Sequence, residues 1–571
     1  MTGKPSIDKP WLKFYPDGAD KVPLPEMTAY EYLFENNKDY MAGIALEYFG
    51  VKISYNTLFE KINEVAKAFA AQGVKRGDIV TIMMPNTPEA IYCFYALNKI
   101  GACANIISPT FTLEHITESI KLTCSKLLVI LDKFYTMLLP VTAQTGAKRI
   151  IVVSGTETLG QTAELSEMDY VTGWRAFITL GECQVENTAA YEAKTPAAII
   201  YSSGSTGAAK GIVLPNEAFS GLVAQYDAVN HVDLRNARGK RAILLIPIFM
   251  STGINATLNT VLCNGMVGIL LPSPEPYKFI QAVKDSKPNY LLSSISYYEA
   301  MLKNTDSFDD LSFLLHPTGG GEPLSPSLEK SINEFFRVHG SDAVIVQAWG
   351  LCEFGSQATA QSKHRLRKGT GTPLSHTIIS AFDPDTDEEL TYYERGEIRV
   401  ITPCQMLGYY KNPEATAAFF REGKDGRIWG CSGDVGYIDE EGNVFIEGRA
   451  DDFICDSSGE KIWLFDIEST LLADEAIQLC EVVGLAVDGG YIHVAHLVLK
   501  ESCEDASENV IRRVHKTCVE TLLPNAVPHG YKIRQEFNML PSGKRDTLSL
   551  KNERDGFVQV SDDGELMPAV F

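Results

Sequence analysis

The chain has 571 residues, a hydrophobic content of 45% and a formal net charge of −22 at pH 7. This length allows several domains, and the acidic balance argues against nucleic acid or an anionic membrane surface as the main partner. No apolar run reaches the roughly 18 residues of a membrane span. The twelve cysteines include no CxxC pair, and the N-terminus lacks the apolar segment of a secretion signal. We therefore expect a cytoplasmic protein with reduced thiols.

Strand and helix signals alternate from residue 78 onward. The segment "DIVTIMMP" predicts a strand, and the next helix has Thr87 as its cap, Pro88 at its first position and Gly101 as its end. "CANIIS", a helix from about Leu113, "KLLVILD" and "RIIVVS" continue the alternation. Such alternation predicts mostly parallel sheets that are covered by helices.

A glycine-rich loop, "YSSGSTGAAKG" at 201–211, lies between two apolar runs too short for helices. Its backbone amides can approach an anion closely, and its hydroxyls and lysine add donors and charge. It is not a Walker A loop, because a Walker A lysine is followed by Ser or Thr and then by a helix, and this lysine is followed by neither. Taken alone, a surface turn explains this composition equally well. Asn216 comes next as the predicted cap of a helix over "EAFSGLVAQYDAV".

The last part of the chain has a different character. "IWLFDIESTLLADE" predicts a helix, "CEVVGLAV" and "YIHVAHLVL" predict a hairpin around "DGG", and a helix to about Leu523 precedes the strand "YKIRQEF". The turn-rich segment 447–453 is the predicted boundary of this small α+β unit. We predict one domain over residues 1–450 and a second over 451–571, and we assign no function to the polar tail after Asn552.

The loop at 201–211 resembles the phosphate loop of the adenylate-forming superfamily, which includes acyl-CoA synthetases, non-ribosomal adenylation domains and luciferases. Further segments match this family in its order, from about residue 30 to residue 550: "LIPIFMSTG", "TGGGEPLS", "AWGLCEFG", "GEIRVITPCQMLGYYKNPEAT", "GCSGDVGYID", "GRADDFI" and "LPSGKRDTL". The chain is most similar to acyl-CoA synthetases. This resemblance implies an α/β fold: a large N-terminal domain of helix-covered, mostly parallel sheets with a β-subdomain, and a smaller α+β C-terminal domain that rotates about a hinge.

The resemblance implies an AMP-forming ligase that uses ATP, Mg²⁺ and coenzyme A. A carboxylic acid attacks the α-phosphate of ATP, pyrophosphate leaves, and coenzyme A then displaces AMP from the acyl-adenylate. Two alternatives stay open: transfer to a carrier protein or an amine, and a non-catalytic nucleotide-binding homologue. We expect the acid, ATP and coenzyme A as partners, and neither nucleic acid nor a membrane span. A homodimer stays open.

The catalytic residues implied by the resemblance neutralise charge at the phosphates. Lys210 and Thr206 of the loop are expected at the β- and γ-phosphates, and Glu353 is expected as the Mg²⁺ ligand, since that ion prefers oxygen donors. Lys544 is expected to reach the α-phosphate from the small domain. Without the resemblance, Glu353 and Lys544 would both be interpreted as solvated surface charges.

The nucleotide-binding residues implied by the resemblance surround adenine and ribose. Asp434 is expected to accept both ribose hydroxyls, with Arg449 beside it and Trp349 stacked on adenine, although a buried core position also suits tryptophan. Asp451 is expected to be the hinge. The remaining implied nucleotide contacts are Ser202, Ser203, Gly204, Ser205, Gly207, Gly320, Gly321, Glu322 and Cys352.

The implied acid pocket is lined by Met250, Ser251, Gly319, Gly350 and Leu351. No acidic residue occurs between Ile246 and Asn255, the segment in which amino-acid-activating relatives carry an aspartate. Gly350 stands where acetate-specific relatives place a tryptophan, so the pocket is expected to be open. We therefore expect a medium- or long-chain fatty acid or an aromatic acid.

Several residues depart from the family pattern. Cys352 replaces a threonine whose hydroxyl helps to hold the α-phosphate, and a thiol is a weaker donor. Met250 replaces a histidine or aromatic residue, Ala209 replaces a proline, and Cys455 stands where many members have a lysine. The segment "PSGKR" is also shorter than usual. The residues implied for thioester formation therefore depart more from the family pattern than the residues implied for adenylation.

Overall fold

The structure is a computed structural model that describes residues 2–165, 168–185, 187–201, 210–230, 234–272, 275–322, 324–361, 368–450, 452–455, 461–487, 490–500, 503–538, 545–561, 563–569 and 571. The predicted α/β fold class is confirmed: helix-covered, largely parallel sheets make up the N-terminal domain, and a smaller α+β domain follows. The predicted boundary at residue 450 stays a prediction.

The first large sheet of the N-terminal domain contains the strands around the glycine-rich loop. In spatial order, its described strands are Gly408–Tyr409, Gly211–Pro215, Pro196–Tyr201, Cys103–Ile106, Ile79–Met83, Leu127–Leu131, Arg149–Val153 and Val171–Gly173. The strands from Pro196–Tyr201 through Val171–Gly173 run parallel to one another. The helix Pro88–Lys99 begins as predicted, with the Thr87 hydroxyl accepting from the Ala90 amide at 3.3 Å.

A second large sheet packs beside the first. Its described strands, in spatial order, are Val346–Ala348, His316–Gly320, Tyr290–Ser293, Arg241–Leu244, Val267–Leu270, Ile44–Tyr48 and Val51–Ser54, and only the last pair is antiparallel. Alternate residues of its strands point to opposite faces. One face packs on the helices 276–286, 295–303 and 326–338, and the other faces the helix Asn216–Asn230 and the π-helix Thr252–Asn259.

The helices cover both sheets and the small domain. The described α-helices are Pro5–Asp8, Ala29–Asn37, Tyr55–Ala71, Pro88–Lys99, Leu113–Thr123, Asp132–Leu138, Thr142–Thr145, Trp174–Thr179, Asn216–Asn230, Leu234–Ala237, Thr260–Cys263, Pro276–Ser286, Ile295–Lys303, Pro326–Val338, Pro413–Phe419, Leu464–Leu472, Ser507–Thr521 and Thr547–Lys551. In the part of the chain that the structure describes, none of these helices is long and apolar enough to cross a membrane.

The predicted cap role of Asn216 is wrong. The helix already includes Asn216, whose side-chain oxygen accepts from the Ala29 amide at 3.1 Å and from Asn98 Nδ2 at 2.7 Å. Asn216 is buried, so its polar atoms need partners inside the protein. Two neighbouring helices supply these partners, and Asn216 therefore ties three helices together.

The β-subdomain and the C-terminal domain complete the fold. The described β-subdomain strands are Ile378–Phe382, Gly396–Ile401, Ile428–Ile438, Phe420–Glu422 and Val444–Arg449, and short ribbons pair Thr359–Ala360 with Thr372–Pro373 and Phe453–Cys455 with Lys461–Trp463. In the C-terminal sheet, the predicted hairpin Ile477–Val487 and Gly490–Leu499 is confirmed and pairs with Gly530–Arg534. The tail adds the strands Val558–Val560 and Leu566–Pro568 to this sheet.

A bidentate ion pair joins the two domains. Arg395, which precedes a β-subdomain strand, donates to both carboxylate oxygens of Asp466 in the helix Leu464–Leu472 at 2.9 and 3.0 Å. Its guanidinium also lies 5.3 Å from the ring centre of Phe465. Paired, planar contacts of this kind fix orientation better than a single charge contact. The C-terminal domain therefore has a defined place against the β-subdomain.

Candidate active site

The glycine-rich loop connects two strands, as predicted, and the structure shows that they are antiparallel. Pro196–Tyr201 and Gly211–Pro215 pair through Tyr201↔Gly211, so the two ends of the loop are adjacent at one sheet edge. Among the predicted site residues, Ser202, Ser203, Gly204, Ser205, Thr206, Gly207, Asp451 and Lys544 lie outside the described residues. Their assigned roles stay predictions.

Tyr409 connects Lys210 with Glu353. The strand Gly408–Tyr409 pairs with Gly211–Pro215, which places Tyr409 opposite Ile212. The Tyr409 hydroxyl donates to Glu353 Oε1 at 2.8 Å, and the Lys210 ammonium lies 5.2 Å from the centre of its ring. Burial and the neighbouring Glu353 raise the pKa of Tyr409, so the phenol stays protonated and donates. Tyr409 was not among the predicted site residues, although it lies in the matched segment "GYYKNPEAT".

A buried carboxylate, Asp434, holds two neighbours. Asp434 pairs across the sheet with Arg449, whose Nη1 donates to Asp434 Oδ1 at 2.7 Å and to the Ser432 carbonyl at 3.0 Å. On the other side, Trp349 Nε1 donates to Asp434 Oδ2 at 2.8 Å. Trp349 is only partly buried, so it is a site-edge residue rather than a core tryptophan. The structure thus brings these three predicted residues together.

The segment Gly319–Glu322 begins within the last two residues of the parallel strand His316–Gly320 in the second sheet. Gly321 has φ +79°, a conformation that favours glycine. The Glu322 carboxylate accepts from the Ser296 amide at 3.0 Å, and burial raises its pKa. A Cβ atom at Gly319 would lie 2.4 Å from Ile295 Cδ1, so this buried glycine packs closely against the helix Ile295–Lys303. Its role in the acid pocket stays a prediction.

Glycine at position 350 is required by close backbone packing, a reason that the sequence did not indicate. A Cβ atom at this position would lie 2.2 Å from the Ser356 carbonyl oxygen, so the two backbone segments approach too closely for any side chain. A larger residue would have to displace the backbone around 356. The glycine is therefore required by this turn and does not by itself indicate an open pocket.

The other predicted pocket residues lie around the start of the π-helix. Ser251 is buried and directly precedes Thr252–Asn259, and its hydroxyl donates to Cys352 Sγ at 3.0 Å. Met250 and Leu351 are partly exposed beside them. Short π-helical segments occur often at functional sites. Ser251 thus places a hydroxyl next to Cys352, the residue that replaces the family's threonine.

Arg545, the residue after Lys544, faces the segment that contains Glu322. Arg545 Nη1 donates to the Cys480 carbonyl and to Glu481 Oε2, both at 3.0 Å. Its charge also opposes the rise that burial causes in the pKa of Glu322 and of Glu299 in the N-terminal domain. Arg545 thus carries its charge toward two buried carboxylates of the N-terminal domain.

Glu353 is the candidate metal ligand. Over the described residues, no group of three or more His, Cys, Asp or Glu side chains could hold a metal ion. Mg²⁺ is commonly held by one or two carboxylates together with substrate phosphates and water. Tyr409 contacts Oε1 of Glu353, and the second carboxylate oxygen can serve a cation, so Glu353 fits this kind of site.

Sequence and fold comparisons identify the class of protein. The profile of the AMP-binding enzymes matches residues 33–410, well over half of the chain, so the chain belongs to this family. It is 24% identical over 556 residues to a long-chain-fatty-acid–CoA ligase of Bacillus subtilis, a match that covers 94% of this chain and 96% of that protein. It is 25% identical over 531 residues to 4-coumarate–CoA ligase 1 of Arabidopsis thaliana, covering 89% and 92%.

Solved structures share the fold over both domains. The ATP-bound MatB of Rhodopseudomonas palustris matches with a TM-score of 0.77 and 21% identity, covering 92% of this chain and 98% of MatB. This match confirms the predicted two-domain architecture. The predicted membership of the adenylate-forming superfamily is confirmed as well, because the family profile agrees with the fold.

Proposed function

We propose that the protein is an AMP-forming acyl-CoA ligase that activates a medium- or long-chain fatty acid or an aromatic acid. The observation that carries the proposal is the arrangement around the segment 349–353. Trp349 at one end contacts Asp434, and Glu353 at the other contacts Tyr409 beside Lys210. A nucleotide along this segment would have its ribose at Asp434 and its phosphates at Glu353. Relatives that act on long-chain fatty acids and on 4-coumarate support the acid class.

The described residues fit ATP and Mg²⁺. A carboxylate has about four acceptor positions, and each oxygen of Asp434 accepts from one of two neighbours, Trp349 or Arg449. Asp434 would accept hydrogen bonds from the ribose hydroxyls. Mg²⁺ would supply positive charge that neutralises the phosphates. Glu353 would hold the ion, and Lys210 with the 202–209 loop would hold the β- and γ-phosphates.

The proposed reaction has two steps. In the first, an oxygen of the acid forms a bond to the α-phosphorus, and the bond to the leaving pyrophosphate breaks. Lys544 would stabilise the charge on the α-phosphate and on the attacking carboxylate. In the second, the thiol sulfur of coenzyme A bonds to the acyl carbon, AMP leaves and the thiol proton is released. Rotation of the C-terminal domain about Asp451 would present one face of that domain to the site in the first step and another face in the second step.

A panel of acids tests the proposed acid class. We expect pyrophosphate release to rise from acetate to octanoate, or from acetate to cinnamate-like acids, and the product to require coenzyme A. Mass spectrometry of the products identifies the acceptor. A product that forms with a carrier protein or an amine and without coenzyme A would favour the alternative acceptor. ATP binding without pyrophosphate release for any acid would favour a non-catalytic homologue.

Cys352 offers a test of the adenylating face. Threonine at this position has a stronger donor than the thiol, and one neutral hydrogen bond contributes about 1 kcal/mol. We expect Cys352→Thr to raise the rate of ATP–pyrophosphate exchange about fivefold. Cys352→Ala is the matched control, because it removes the thiol without adding a hydroxyl. If the threonine variant is no faster than the parent enzyme, another group already supplies this donor, and the Ser251 hydroxyl is the nearest candidate.

A further inference from the structure

Tyr409 contacts both charged groups that the proposed function places at the triphosphate. Its hydroxyl donates to Glu353 Oε1 at 2.8 Å, and the Lys210 ammonium lies 5.2 Å from its ring centre. These contacts join three chain segments, at 210, 353 and 409, that are far apart in sequence. Tyr409 is the described side chain through which the candidate metal ligand and the lysine of the phosphate loop are coupled.

The surrounding backbone fixes Tyr409 firmly. Its strand pairs with Gly211–Pro215, directly after the loop lysine, and its amide donates to Thr416 Oγ1 at 2.9 Å. Its ring packs edge-on against Phe419, with 6.2 Å between ring centres. The Met406 amide also donates to the Glu353 carbonyl at 2.7 Å, which ties the two segments at their backbones. A hydroxyl held in this way selects one orientation of the Glu353 carboxylate.

We propose that Tyr409 is a positioning residue that aims Glu353 at the metal ion and holds Lys210 against the phosphate loop. This inference rests on the proposed function, because it concerns the same nucleotide site. By donating to Oε1, the hydroxyl fixes the orientation in which the Glu353 carboxylate is presented to the cation. By lying under the ammonium, the ring keeps the Lys210 charge near the loop through a cation–π contact. The two halves of the side chain thus have separable roles.

Two substitutions separate these roles. Tyr409→Phe removes only the hydroxyl, so we expect the enhancement of ATP affinity by Mg²⁺ to fall about tenfold, as for the loss of a hydrogen bond to a charged group. Tyr409→Leu also removes the ring, so ATP affinity should fall further and should fall without Mg²⁺ as well. AMP affinity should stay unchanged in both variants, because the hydrogen bonds that Trp349 and Arg449 donate to Asp434 do not involve Tyr409 and AMP lacks the outer phosphates. Unchanged AMP affinity also shows that the variants are folded.

Calorimetric titration of the full-length protein with ATP, with and without Mg²⁺, and with AMP measures these affinities directly. Tyr410→Phe is the matched control, since it removes a hydroxyl one residue away, where the ring lies 5.3 Å from Lys411 instead. An unchanged Mg²⁺ enhancement in Tyr409→Phe, or an equal loss in Tyr410→Phe, would overturn the inference while leaving the proposed function intact. If the parent protein binds neither ATP nor AMP, the proposed function fails, and the inference fails with it.

Discussion

Replacing Lys544 with alanine should lower the rate of ATP–pyrophosphate exchange on the order of 10²–10³-fold, as for the loss of one preorganised donor at a developing charge. Lys544 lies in the matched segment "LPSGKRDTL". Its neighbour Arg545 donates to the Cys480 carbonyl and to Glu481 Oε2. The role of Lys544 at the α-phosphate is the one that the resemblance to the family implies.

The two half-reactions provide an internal control for Lys544. If the lysine acts only in adenylation, transfer of the acyl group from chemically prepared acyl-adenylate to coenzyme A should be nearly unchanged in Lys544→Ala. Lys516→Ala is a matched control, because Lys516 is an exposed lysine of the same domain with only a long contact, 3.8 Å, to Glu520. Unchanged exchange would refute the role. Equal losses in both half-reactions would indicate damage to the domain instead.

Much of the fold could be predicted because local signals and tertiary structure agree. Thr87 and Pro88 mark a helix start by local chemistry, and the hairpin at 477–499 has long apolar strands around a glycine turn. The tail lacked such signals: Val558–Val560 is a strand because it pairs with Tyr531 on one side and with Leu566–Pro568 on the other. The prediction that Asn216 caps its helix was wrong for a related reason. Buried partners from other helices determine the hydrogen bonds of the Asn216 side-chain oxygen.

The candidate site could be predicted only as far as its motifs extend. Asp434, Arg449 and Trp349 come from three motifs and meet as expected. Tyr409 could not be singled out, because its role depends on which strand pairs with the loop. At Gly319 and Gly350 the structure shows close packing neighbours, a reason for glycine that the sequence pattern does not distinguish from contact with a ligand. Sequence patterns therefore indicated which residue types occur in the site, and strand pairing determined which of them face it.

Replacing Asp434 with asparagine should weaken ATP and AMP binding about 100-fold. Two hydrogen bonds from ribose hydroxyls to a charged acceptor contribute about 3 kcal/mol together, and each 1.4 kcal/mol changes affinity tenfold. The asparagine amide has one acceptor oxygen, whereas both Trp349 and Arg449 donate to the carboxylate. The remaining oxygen would be occupied by these neighbours, and little acceptor capacity would be left for the ribose.

Deoxynucleotides separate a ribose contact from a general loss of structure in Asp434→Asn. The parent protein should discriminate against 2′-deoxy-ATP and 3′-deoxy-ATP, since each lacks one donor to Asp434, and the variant should lose most of that discrimination. Asp439→Asn is the control: this buried carboxylate of the same hairpin accepts from Glu441 and Asn443 of its own turn, so nucleotide affinity should not change. If Asp434→Asn still discriminates between ATP and its deoxy analogues, the ribose is bound elsewhere, and the proposed orientation of the nucleotide along 349–353 is wrong.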